Sequence, residues 1–162
     1  MAKTADKACK FCRIVSGEEP SFRVYSDDLA VAFLDYRPLL IGHVLLVPRI
    51  HYETLQMVPD AVMAGLGPLL KRVSTGVMKG MRAEGSFIAE NNVVSQSVPH
   101  VHFHIVPRNK GDGLFASGRM IWKRASYAGD AHWIRAVGDR DAEREKPRAL
   151  GDSRKNTECE DA

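Results

Sequence analysis

Residues 100–106 read His-Val-His-Phe-His-Ile-Val, and this strict alternation constrains the fold more than any other segment. In a β-strand, positions i, i+2 and i+4 share a face, so His100, His102 and His104 line up while Val101, Phe103 and Ile105 point the other way. A helix would place His100 and His102 about 200° apart and scatter the imidazoles. The β-branched and aromatic neighbours also favour a strand, with Pro107 predicted to stop it. One face is built for a core and the other presents three titratable groups. A lone histidine is usually just a hydrogen-bonded residue. Three in register repel one another once protonated, unless a metal or a phosphate compensates. Two chemistries fit such a face: a metal-ligand set, or an imidazole nucleophile on phosphorus with neighbours that fix its orientation. The polar loop Asn91–Pro99 just upstream offers amide and hydroxyl donors suited to phosphate oxygens, although Asn and Ser are also ordinary turn formers.

The pattern elsewhere completes an α+β outline. Ile14-Val15 before Gly17 and Pro20 predicts a short helical turn. Phe22–Tyr25 and Leu29–Leu34 flank Ser26-Asp27-Asp28, a hairpin signal. His43–Val47 reads as a strand apolar on both faces, closed by Pro48. From about Asp60 to Arg82 the period changes. Leu66, Leu69, Leu70, Val73, Val77 and Met81 form one helix face, with regular helix predicted to begin, or to kink, at Pro68. Gly85 is expected to end it, and Phe87–Glu90 to form another strand. No repeat at solenoid periods is present. The expected fold is one mostly antiparallel five-stranded sheet backed by one long helix.

Composition excludes other classes. A chain of 162 residues, 44% hydrophobic, supports a core without disulfides. Its apolar runs fall short of a membrane span, and residues 1–12 lack an apolar signal segment, so a cytoplasmic location is expected. The last 24 residues, Asp139–Ala162, hold six basic and eight acidic side chains, leaving +5 on the remainder of a chain whose net charge is +3. That cationic body suits phosphate-bearing ligands, but no Lys/Arg cluster is dense enough to argue for nucleic acid. Two of the three cysteines form Cys9-Lys10-Phe11-Cys12. This C-x-x-C spacing fits a zinc knuckle or a redox pair; nothing apolar precedes Cys9, which weakens the thioredoxin-like alternative.

These residues resemble the histidine triad (HIT) superfamily. Its signature, His-φ-His-φ-His-φ-φ with φ apolar, is met at every position of 100–106. The likeness extends to Cys9-x-x-Cys12, to Ala32-Phe33-Leu34-Asp35, to Gly42–His51 and to Gln96-Ser97-Val98. It places a HIT domain over 9–110; beyond that, a C-terminal extension packing on the domain is expected over 111–138, and the few apolar residues and alternating charges of 139–162 predict a charged, flexible tail. The resemblance implies hydrolysis at the α-phosphate of nucleoside phosphoramidates or dinucleoside polyphosphates. In that scheme His102 is the nucleophile that forms a nucleotidyl-histidine, and His104 and His100 orient it or contact phosphate. Asp35 is implied to hold the ribose hydroxyls, Asn91, Gln96 and Ser97 to contact phosphate or the leaving group, and His43 to play a supporting part. The substrate implied is a purine nucleotide of AMP type, with neither membrane nor nucleic acid as partner, and the assembly a homodimer.

Some bacterial members of that superfamily carry a structural Cys2His2 zinc site. The matching positions here are Cys9, Cys12, His51 and His100, which implies structural zinc and no organic cofactor. Two departures stand out: the Asn-to-Gln loop is shorter than usual, with Ser95 in place of the glycine expected before Gln96, and the segment after Arg108 is long and less like the family. His104, where a glutamine would mark the nucleotidylyltransferase branch, points to the hydrolase branches. The competing class is a nucleotide-binding interaction protein with little catalysis; the complete triad argues against it. A three-histidine catalytic zinc would leave the cysteines without a role.

Overall fold

The computed structural model of the protein describes residues 6–115. The predicted tail over 139–162, and the predicted extension apart from residues 111–115, lie outside the described residues. The elements run α1 (Lys10–Ser16), β1 (Arg23–Ser26), β2 (Ala30–Leu34), β3 (Val44–Pro48), a 3-10 turn (Leu55–Met57), α2 (Asp60–Met81), β4 (Gly85–Glu90) and β5 (Phe103–Arg108). The five strands form one sheet in the order β1-β2-β3-β5-β4, antiparallel at every pairing. This is the sheet the sequence predicts.

The hairpin signal works through one side chain. Asp27 Oδ1 accepts the backbone N–H groups of Leu29 (2.8 Å) and Ala30 (2.7 Å), which closes the β1–β2 turn. Helix α1 ends at Gly17, whose φ of 90° lies in the left-handed region open to glycine. Helix α2 departs from expectation at both ends. It starts at Asp60 and runs 22 residues without a break at Pro68. Leu66 and Leu69, on either side of the proline, are buried, so packing of the apolar face outweighs the loss of one helical hydrogen bond. Its terminator is Arg82 (φ 52°), not Gly85; Gly85 instead pairs with Arg108 as the first residue of β4.

The histidine strand is also displaced. β5 begins at Phe103 and continues through Pro107, so His100 and His102 precede the ladder. Ahead of the ladder, Val101 N–H donates to the Tyr52 carbonyl at 2.8 Å. Pro107 fits inside β5 because β3 pairs with β5 only from Leu46↔Phe103 to Val44↔Ile105. At Pro107 the remaining neighbour is β4, through Ser86, so the missing N–H leaves no gap toward β3.

Alternation along the strands makes two cores. Ala30, Ala32, Leu34, Val44, Leu46, Val101, Phe103 and Ile105 face α2 and pack with Leu66, Leu69, Val73 and Val77. Val31, Phe33, Leu45 and Val47 face the opposite way, against Cys9, Phe11, Cys12 and Ile14 of the α1 segment. The sheet is therefore covered on both faces, and the expectation of one backing helix is incomplete. Strands apolar on both faces demand that second cover. Among the described residues no helix is long and apolar enough to cross a membrane. Leu46 is fully buried between β3 and α2, so Leu46→Ala is expected to lower unfolding free energy by about 2–5 kcal/mol, read from urea denaturation. A change within about 0.5 kcal/mol would show that this layer is not the core.

Candidate active site

The face that α1 covers is where β5 presents its histidines. It holds two buried groups of potential ligand atoms: Cys9, Cys12, His51 and His100, and, beside them, Asp35, His43 and His104.

Cys9 is the N-cap of α1 and Cys12 lies in its first turn, so one tight turn delivers two sulfurs. His51 follows the end of β3 and His100 precedes β5. Cys9 Sγ lies 3.5 Å from His100 Nδ1, and Cys12 Sγ lies 3.3 Å from His51 Nδ1 and 3.6 Å from His100 Nδ1. The fit to zinc can be tested on these distances. Bonds of about 2.3 Å to sulfur and 2.0–2.1 Å to nitrogen, at tetrahedral angles, separate S from N by about 3.6 Å. The donor set matches. Burial pushes the Cys12 thiol up, a desolvation that a coordinated cation reverses by holding the thiolate. His100 Nε2–H donates to the Pro48 carbonyl at 3.0 Å, which leaves Nδ1 as the ligating nitrogen. With two thiolates and two imidazoles filling four positions, no site is left for water, so a metal here is structural.

The second group is a chain of hydrogen bonds. The backbone N–H of Leu39 donates to His43 Nδ1 at 3.2 Å, so the proton of neutral His43 sits on Nε2. From there it is donated to His104 Nδ1 at 3.0 Å. His104 then carries its own proton on Nε2, 3.3 Å from the side-chain amide of Asn91, whose oxygen must turn to accept it. Burial, with the charges of His104 and His102, pushes His43 down to about 3. Burial and the charge of His102 likewise push His104 down to about 4. Asp35 Oδ2 approaches His43 Nδ1 at 3.4 Å, but a neutral imidazole makes no ion pair there. Asp35 is pushed up by burial, against the opposing pull of the Arg37 backbone N–H (2.9 Å) and the His102 charge.

His102 lies between the two groups. Its Nδ1–H donates to the carbonyl of His100 at 2.7 Å, so Nε2 keeps its lone pair. Its ring meets His104 at 4.9 Å and, edge-on, Phe11 at 5.0 Å between centroids. Burial pushes it below the ordinary histidine range, so it is neutral near pH 7. The site thus offers a neutral imidazole with one available nitrogen, beside a second neutral imidazole whose outer nitrogen carries a proton.

The other expected site residues are placed as follows. Gln96 uses both ends of its amide within the loop region, accepting from Val93 N–H at 3.0 Å and donating to the Glu53 carbonyl at 2.7 Å. Ser97 is exposed. His100 has both ring nitrogens engaged, Nδ1 in the cysteine cluster and Nε2 at the Pro48 carbonyl. Ser95, in place of the expected glycine, has φ of 62°, the left-handed backbone that glycine accepts most readily. Phe11 escaped sequence reasoning. Its only signal is an aromatic between the two cysteines of a C-x-x-C.

A profile of the HIT domain family matches residues 16–111. The chain is 35% identical over 118 residues to an adenylylsulfatase of Arabidopsis thaliana, an alignment covering 72% of this chain and 60% of that protein. It is 37% identical over 114 residues to an adenosine 5'-monophosphoramidase of Saccharomyces cerevisiae, covering 68% of this chain and 70% of the relative. Among solved structures, a zinc-bound histidine triad family protein from Mycobacterium smegmatis superposes with a TM-score of 0.70 at 31% identity, covering 84% of this chain and 97% of that one.

Two outcomes follow from the site. Between about pH 6.5 and pH 4 the unfolded chain binds protons that folded His43 and His104 refuse, so stability is greatest above that window and falls as pH drops through it. Urea midpoints should decline across the window, and less steeply in His43→Asn; an equal slope in the variant would contradict the assignment. Metal analysis of protein purified without chelator should find about one zinc per chain, lost together with thermal stability in Cys12→Ser. Zinc-free wild type would refute the fit.

Proposed function

The chain belongs to the HIT domain family, and from that premise we propose that it hydrolyses the α-phosphate bond of nucleoside phosphoramidates or dinucleoside polyphosphates through a nucleotidyl-histidine. The observation that carries this reading is the tautomer of His102: with Nδ1–H bonded to the His100 carbonyl, Nε2 is the nitrogen available to attack. Its lone pair forms the N–P bond in line as the bond from phosphorus to the leaving group breaks. The leaving group departs with a proton taken from solvent, while the His104 Nε2–H donates a hydrogen bond toward the reacting phosphate and keeps its proton. Water then attacks phosphorus, the N–P bond breaks, the water's proton returns to solvent, and a nucleoside monophosphate is released with His102 neutral again.

The neighbouring groups take supporting parts. Asp35 holds the ribose hydroxyls of an AMP-type purine nucleotide, Asn91 and Ser97 contact phosphate or the leaving group, and Gln96 braces the loop that carries them. His43 sets the tautomer of His104. Zinc, held by Cys9, Cys12, His51 and His100, supplies structural cross-linking and takes no part in the chemistry, so His100 serves as ligand and as acceptor for His102. The relatives support a phosphorus-bond hydrolase of this kind, since one is named for adenylyl sulfate and another for an AMP phosphoramidate. A homodimer in the cytoplasm belongs to the same reading. β4 is the outermost strand beside β5 and carries an exposed Ile88, an edge suited to pairing with a second copy. Light scattering at the mass of a monomer would remove the dimer.

His102→Ala is expected to lower kcat on adenosine phosphoramidate, diadenosine polyphosphates and adenylyl sulfate by at least roughly 10³-fold, while AMP binding by calorimetry stays within about threefold. Turnover by the variant at the parental rate would refute the assignment.

A further inference from the structure

The orientation of His102 has an identifiable source. The ring of His102 meets the His100 carbonyl at 2.7 Å, the Phe11 ring at 5.0 Å and the His104 ring at 4.9 Å. His100 belongs to the cysteine–histidine cluster, and Phe11 lies between its two cysteines. His100 contributes its Nδ1 to the donor set, and its Nε2–H is tied to Pro48. Its ring and backbone are thereby held at both nitrogens. Phe11 lies in α1 between Cys9 and Cys12, and its ring stands edge-on to His102 at an interplanar angle of 78°. The same ring touches His100 at 6.2 Å and Phe33 at 5.6 Å.

Helix α1 has seven residues, too few to be stable by its own hydrogen bonds. Its place on the sheet depends on the apolar contacts of Phe11, Cys12 and Ile14 and on whatever joins its two sulfurs to His51 and His100. An imidazole that loses its edge-on neighbour and its fixed acceptor can turn about its Cβ–Cγ bond, which puts Cδ2 where Nδ1 met the carbonyl and leaves the ring proton free to sit on either nitrogen.

We infer that the Cys9–Cys12–His51–His100 cluster is the orienting device for the nucleophile: it fixes the plane and the tautomer of His102 through two positioning groups, the His100 carbonyl and the Phe11 ring. The catalytic consequence rests on the function proposed above, whereas the tautomer consequence holds with no substrate present. Metal occupancy and nucleophile geometry are thus one variable, although no metal orbital touches the reacting atoms.

The test compares zinc-loaded protein, the same protein stripped with a strong chelator, and zinc-loaded Phe11→Leu, which keeps all four ligands. Ring ¹H–¹⁵N correlation spectra should show a single Nδ1–H tautomer for His102 in the loaded protein and a mixture of both tautomers after stripping. In Phe11→Leu, zinc content and KM should match the parent while kcat falls roughly tenfold. Parental behaviour in either arm, an unmixed tautomer after stripping or an unchanged kcat in Phe11→Leu, overturns the inference. If stripping unfolds the chain, the Phe11→Leu arm decides alone. Absence of hydrolysis in the parent would count against the proposed function, and the spectra would still decide the orientation.

Discussion

An imidazole attacks phosphorus only through a nitrogen whose lone pair is uncommitted, and the bond from His102 Nδ1–H to the His100 carbonyl decides which nitrogen that is. The remaining architecture serves this contact. His100 offers its carbonyl because its ring is pinned between Pro48 and the two cysteines. The cysteines stand where they do because α1 caps the face of the sheet opposite α2. That face needs a cap because β2 and β3 carry apolar residues on both sides. Covering the histidines also removes them from water, and burial keeps His43, His102 and His104 neutral. Neutrality is what a nucleophile requires, and it removes the mutual repulsion that three imidazoles in register would otherwise suffer.

The two buried groups divide the labour of holding His102. On one side a donor set with metal geometry fixes its backbone acceptor. On the other, the chain from Leu39 through His43 and His104 to Asn91 fixes the proton of its neighbour. Each chain of contacts ends on backbone: Pro48 in one case, Leu39 in the other. Side-chain orientation is thereby referred to the sheet and its loops, whose positions the core determines.

Much of this was legible in the residues. Alternation in 100–106 predicted an apolar face against the core and an imidazole face away from it, and Val101, Phe103 and Ile105 do pack beneath α2. The spacing of Cys9 and Cys12 pointed to a paired thiolate turn, and resemblance supplied His51 and His100 as its partners. What failed were readings that depend on context beyond the local pattern. Pro68 reads locally as a helix start, but burial of Leu66 and Leu69 keeps the helix continuous through it. Pro107 was read as a stop, although the shortness of β3 makes it harmless. Gln96 bonds the Val93 N–H and the Glu53 carbonyl, backbone partners that spacing cannot reveal. Phe11 was invisible for a similar reason, since an aromatic beside two cysteines announces a core residue and not what its edge will touch.

The central claim is that His102 Nε2 becomes bonded to phosphorus during turnover. Rapid acid-free quenching of the wild-type protein with excess adenosine phosphoramidate, followed by proteolysis and mass spectrometry, tests it directly. An adenylyl adduct is expected on the peptide carrying 100–104, located on His102 and absent from His102→Asn. An adduct on His104 or His100 would contradict it, as would substrate turnover during which no protein-bound adenylate accumulates or can be chased to AMP.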